Sequence, residues 1–310
     1  MRLRIFVEPQ QGARYSDILN AARAAEELGF DGFFSSDHLL AMAGAPGFPG
    51  PTDVWTTLAG LARETRRIRL GTLVSAATFR HPGLLALQVA QVDDMSEGRI
   101  EFGLGAAWYE EEHRTTGLPF PDVRERFDRL EEQLDIITGL WALPLGQRYT
   151  KQGRHYQIID SPGLPKPRQH RMPVIVGGVG RRRTPALAAR YATEYNSPFT
   201  SAADTKANVD NVRAACHAIG RDPGELRFSV ALGIACGARD SEVIARAAPA
   251  GIPFERFQTK HLAGSADQVA HRLGTYRKAG CEAAYLQLPD FLDLDHIHYL
   301  GSELQRQLDR

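Results

Sequence analysis

Short apolar runs alternate along this chain with longer segments whose apolar residues recur every three to four positions. LRIFV at residues 3–7 reads as a strand, and the segment 15–28 as a helix, with Ile18, Leu19, Ala22, Ala25 and Leu28 on one face and Gly29 as its stop. The rhythm repeats with strands at 31–36, 68–75 and 99–105 and helices at 54–64, 82–95 and 123–140. Asp53 is placed to cap the second helix, with Thr52 competing for that position. It resumes with strands at 173–178, 194–197, 226–236 and 283–288 and helices at 184–191, 202–219, 265–279 and 293–308. Two stretches break it. Residues 144–172 hold a hairpin pattern around Gly153 and then a proline-rich run, and residues 238–263 are read as irregular.

About eight strand–helix units in sequence predict a parallel sheet with crossover helices. Eight units in 310 residues suit a closed (β/α)8 TIM-like barrel with two insertions, one domain over 1–310. The competing doubly wound sheet would place G-x-G-x-x-G after its first strand, where this chain has EPQQGA.

Charge narrows the partners. Lys plus Arg and Asp plus Glu are 37 each, so the net charge is zero and neither nucleic acid nor an anionic membrane is expected as the main partner. No apolar run is long enough to span a bilayer, and MRLRIFVEPQ reads as a first strand because it lacks an apolar leader core. Cys216, Cys236 and Cys281 are widely spaced and odd in number. They are expected as buried thiols, which fits a cytoplasmic protein.

In a barrel of this kind the chemistry sits where strands end. Glu8 follows the first strand, Asp37 and His38 the second, Ser75 and Thr78 the third, and Asn196 and Ser197 the sixth. An imidazole there can move a proton near neutral pH. The same two residues, Asp37 and His38, would equally serve as a loop cap and a packed side chain. After the fourth strand, small Gly105, Ala106 and Ala107 leave room for a flat ligand, with Trp108 and Tyr109 as walls of a substrate pocket. Glu110, Glu111 and Glu112 read as a solvated helix start favoured by the helix dipole. His113 lacks companions at metal-ligand spacing, so no metal site is expected. Gly177, Gly178, Val179 and Gly180, with Arg181 beyond them, precede a helix and suit a phosphate, or simply form a tight turn. His296 and His298, two apart on a helix, point to different faces and read as structural or surface residues.

Three stretches together carry a resemblance: FFSSDHLL, GTLVSAATFRHPGLLALQVAQVDDMSEGRIEFGLGAAWYEEEH and MPVIVGGVGRRRTPALAARYATEYN. They resemble the bacterial luciferase-like monooxygenase superfamily, more closely its branch dependent on the deazaflavin coenzyme F420. The resemblance implies a homodimer of TIM-like barrels holding a deazaflavin or flavin in the mouth. It implies a cis peptide at Leu73–Val74 behind the cofactor ring, with His38 near the reacting ring and Asp37 orienting it. It further implies a ring seat at Gly105, Ala106 and Ala107 and a phosphate loop at Gly177, Gly178, Val179 and Gly180. Two departures stand out: Ala107 where relatives often carry Gly, and Trp108 where the sugar-phosphate dehydrogenases of this branch carry a catalytic Glu. The expected activity is hydride transfer between F420 and a small organic substrate. FMN-dependent monooxygenation and a flavin-binding protein without turnover are the alternatives.

Overall fold

In the first barrel strand, Arg2–Val7, five successive residues are buried, as a parallel strand covered on both faces requires. Their side chains alternate between two environments. Leu3, Ile5 and Val7 join the large cluster packed under the helices, while Arg4 and Phe6 point into the barrel. The later strands repeat the division: Phe34, Ile175, Ala231 and Tyr285 meet Phe6 inside, whereas Phe33, Val174, Val230 and Leu286 face the helices. A computed structural model describes residues 1–42 and 44–308.

Eight strands close the barrel. After the first come Gly32–Ser35, Arg69–Thr72, Ile100–Gly105, Val174–Gly177, Glu194–Pro198, Arg227–Cys236 and Ala283–Gln287, each parallel to its neighbours. The eighth returns to the first through Arg2↔Ala283 and Ile5↔Leu286. Single helices such as Tyr15–Glu27, Pro82–Met95 and Ala202–Ala218 make the crossovers. Asp53, not Thr52, caps Val54–Glu64, its carboxylate accepting from the Thr56 N–H at 2.8 Å. Ser265 caps Ala266–Lys278 in a capping box with Gln268. The three cysteines are free and buried. None of the described helices is long and apolar enough to cross a membrane.

The floor of the barrel is charged. Arg4, fully buried, donates to Glu101 at 2.8 Å, Glu194 at 3.2 Å and Asp31 at 2.7 Å, and also to the Tyr285 hydroxyl. Arg69 and Arg227 reach the same two glutamates from the rim. Sequence reading picked out none of these groups.

The insertions differ in order. The first carries the expected hairpin, Tyr149–Gln152 against Gln157–Ser161. The second is not irregular, as the sequence suggested. It folds into helices Asp240–Ala247 and Phe254–Lys260 and a short strand, Leu262–Gly264, paired with the end of the seventh barrel strand. Val243, Ala247 and Phe257 give it a small core against Ala235, and these four side chains were too few to show a period. The closing segment is helical from Leu294 to Leu308, as expected, with a π-turn at Leu300–Leu304. His296 is buried, accepting from the Cys236 N–H at 3.1 Å and facing Asp290 at 2.9 Å, whereas His298 is exposed.

Candidate active site

The carboxyl ends of the strands surround a cavity of about 540 Å³. Asp37, His38, Leu73, Val74, Gly105, Ala106, Ala107, Trp108, Gly177, Gly178, Val179 and Gly180 all line it. Arg181 is exposed and outside the lining, and Tyr109 stands behind Trp108 with the two rings stacked at 5.4 Å.

Asp37 and His38 leave the second strand in opposite directions. Asp37 is buried and paired with the Arg80 guanidinium at both oxygens, and Arg80 also reaches Asp53 at 2.6 Å. Burial works against the Arg80 charge, but the two carboxylates raise its pKa. Asp37 therefore does not orient His38, correcting the expectation drawn from the resemblance. The orienting group is Glu112, whose carboxylate is 1% exposed and lies 3.0 Å from His38 Nδ1 while accepting from the Leu39 N–H at 3.0 Å. Glu112 is thus a lining residue and not part of a solvated helix start. With Nδ1–H donated to this carboxylate, Nε2 is the nitrogen left for chemistry. Trp108 sets its ring edge-on to His38 at 5.6 Å.

His113, one residue on, is fully buried. Its Nδ1–H donates to the Tyr109 carbonyl at 2.8 Å, so Nε2 accepts from the Thr78 hydroxyl at 2.7 Å. Both ring nitrogens are occupied, and the imidazole fixes the loop that presents Trp108. No group of three or more metal-ligating side chains occurs among the described residues.

The Leu73–Val74 peptide is cis, at the position the resemblance implied, just beyond the end of the third strand, and both residues line the cavity. Gly105 faces it, and a Cβ there would come within 2.7 Å of Val74 Cγ2, so any larger residue would force Val74 to shift. Ala107 follows with φ of 62°, a left-handed conformation that costs an L-residue about 1–2 kcal/mol. Ala107→Gly is expected to stabilise the fold by up to about 1 kcal/mol, since relief of that strain exceeds the added freedom of the unfolded chain. Ala106→Gly, at a neighbour without positive φ, is expected to destabilise by about 0.5–1 kcal/mol; urea midpoints of the two variants test the contrast.

The loop after the fifth strand turns at Gly178, where φ of 137° excludes other residues. Gly178 N–H is bonded to the Asn196 carbonyl at 3.2 Å. No hydrogen bond among the described residues engages the N–H of Val179 or Gly180, and both stand just ahead of helix Arg183–Tyr191. Thr184, buried in the first turn of that helix, lines the cavity beside them. Arg183 is turned away into Asp128 at 2.7 Å and Glu131 at 3.4 Å. Sequence reading missed Thr184, whose only signal was its place one turn after the glycines. It also missed Phe199, a lining residue held at φ of 52°, with its N–H bonded to the Ala231 carbonyl at 2.8 Å. Glu8 borders the cavity as expected from its strand-end position. Burial raises its carboxyl above the usual range, opposed by the nearby His38 and by the Gln287 amide bonded to it.

The model of the luciferase-like monooxygenase family matches residues 1–261. Among curated proteins, an F420-dependent glucose-6-phosphate dehydrogenase of Microbacterium testaceum is 37% identical over 181 residues, covering 58% of this chain and 52% of the relative. An F420-dependent hydroxymycolic acid dehydrogenase of Mycobacterium tuberculosis is 31% identical over 236 residues, 73% of this chain and 60% of that one. The chain spans about half the length of most curated relatives it matches. Among solved structures, an F420-dependent secondary alcohol dehydrogenase in complex with an F420-acetone adduct superposes with a TM-score of 0.87 at 17% identity, over 99% of this chain and 98% of the other. The coenzyme F420-dependent tetrahydromethanopterin reductase of Methanopyrus kandleri gives 0.82 at 18%, over 99% of both chains. These likenesses extend the fold over the whole chain, and the family match covers the cavity from Phe6 to Ala231, so the chain belongs to the luciferase-like monooxygenase family.

Proposed function

We propose that the chain is an F420-dependent oxidoreductase acting on a small organic substrate. The observation that carries this reading is the cavity itself: a slot between the Leu73–Val74 bulge and the small residues after the fourth strand, with His38 Nε2 directed to it. A tricyclic ring fits the cavity that Leu73, Val74, Gly105, Ala106 and Ala107 line, and a phosphate fits the unengaged N–H groups of Val179 and Gly180 beside the Thr184 hydroxyl. The F420 dependence of the curated relatives supports F420 as the ring. Bound there, the deazaflavin would supply hydride acceptance or donation at its C5 atom.

The chain's own residues do the rest. Glu112 holds the His38 ring and its tautomer, and His38 Nε2 takes or returns the substrate proton that accompanies the hydride. Trp108 covers the outer side of the mouth. Asp37 and Arg80 hold the second-strand loop against Asp53, keeping His38 in reach. Titration of the purified protein with F420 and with FMN, followed by cofactor fluorescence, tests the reading. Saturable F420 binding is expected; tight FMN binding with no response to F420 overturns it.

A further inference from the structure

The mouth has an annex. A second cavity of about 260 Å³ adjoins the first and shares Glu8 and Trp108 with it as walls. The second insertion builds its far side, through Ala250, Ile252 and Phe257, and Leu288 and Phe291 close it after the eighth strand. Its volume holds roughly nine water-sized groups, enough for the body of a small organic molecule. No Lys or Arg lines either cavity among the described residues.

The one imidazole in the annex is His261. Its Nδ1 accepts from the Gly233 N–H at 3.3 Å, so its proton sits on Nε2. No hydrogen bond among the described residues uses that Nε2–H. Burial, with Arg272 and Lys260 adding, pushes the imidazole down to about 4, so it is a neutral donor at pH 7. Phe199, from the main cavity, meets this ring edge-on at 5.9 Å and links the two spaces.

We propose that the annex is the substrate's subsite and selects an uncharged, mainly apolar alcohol or carbonyl compound, with His261 Nε2–H as its hydrogen-bond donor, and rejects phosphorylated sugars. This rests on the oxidoreductase reading for the placement of the reacting carbon, which lies at the shared wall between His38 and Trp108. A phosphate dianion would enter a space with no cation, bordered by the Glu8 carboxyl, and would lose its hydration without recompense. An apolar body gains by leaving water there. The glucose 6-phosphate named for several relatives is therefore not the substrate here.

The test uses the full chain, first without cofactor and then loaded with F420. Acetophenone is titrated in and read by saturation-transfer NMR and by tryptophan fluorescence, with glucose 6-phosphate as competitor. Saturable acetophenone binding is expected, weakened tenfold or more by Ala250→Phe, which fills the annex, and unaffected by glucose 6-phosphate. Ile252→Glu, at a half-buried position of the same wall, makes the comparison if Ala250→Phe does not fold. No saturable binding, equal affinity in the variant, or displacement by glucose 6-phosphate overturns the proposal. F420 fluorescence is read separately, so failure of the cofactor reading is seen as lost F420 binding while the cofactor-free acetophenone result still decides the annex.

Discussion

His38→Ala is expected to lower turnover by about 10²–10⁴-fold, the usual contribution of a positioned general acid or base, while F420 still binds. The size of the effect follows from how the ring is held. Its Nδ1 faces both oxygens of Glu112, at 3.0 and 3.2 Å, and the same carboxylate is pinned by the Leu39 N–H. The imidazole is thus fixed by two elements from different strand ends and presents only Nε2 to the cavity. Glu112→Gln separates position from charge. An amide oxygen can accept from Nδ1–H and from Leu39 N–H, so this variant should keep far more activity than Glu112→Ala, which leaves both donors unpartnered. Single-turnover reduction or oxidation of bound F420 is the measurement. If His38→Ala turns over like the parent, His38 moves no proton and serves only to fill the mouth.

The strands were readable because a parallel barrel buries both faces of each strand, which leaves near-continuous apolar runs such as LRIFV and PVIVGG. The helices were readable from spacing, and the strand-end rule then pointed to about half of the cavity lining. What escaped was pairing at a distance. Asp37 and His38 are neighbours in sequence, so they looked like partners, yet a residue and its successor leave the chain on different sides. Their true partners, Arg80 and Glu112, lie 43 and 74 positions away, and no local pattern marks them. Glu112 was further hidden by company. It stands third in an acidic run at the start of a seven-residue helix, too short to show which face turns inward. The floor of the barrel did leave a signal that went unused: Arg4 in LRIFV and Glu101 in IEFGLG each interrupt an apolar run, on the parity that faces the axis.

That floor carries the second large effect. Arg4→Met is expected to destabilise the fold by about 3–5 kcal/mol, lowering Tm by roughly 5–8 °C in a chain of this length. The cost comes from what remains. Glu101 and Glu194 are 2% and 1% exposed, and among the described residues Arg4 is the only fully buried cation bonded to both of them. Arg69 and Arg227 also touch them, but both are partly exposed, so they cover the rim and not the centre. Buried carboxylates that lose their central cation keep their desolvation penalty and lose most of its compensation. The Tyr285 hydroxyl, which accepts from Arg4 and donates to Glu194 at 2.7 Å, loses half of its arrangement as well. Adding Glu101→Leu and Glu194→Leu to Arg4→Met removes the stranded charges and is expected to recover much of the stability, because an apolar set of similar volume needs no pairing. Glu8 lies four residues beyond Arg4, about 13 Å along an extended strand. Turnover per folded molecule should therefore be unchanged in the single variant at temperatures below its Tm. A melting point within 2 °C of the parent for Arg4→Met would mean that Arg69 and Arg227 alone hold the two glutamates and that the centre of the barrel floor is open to water.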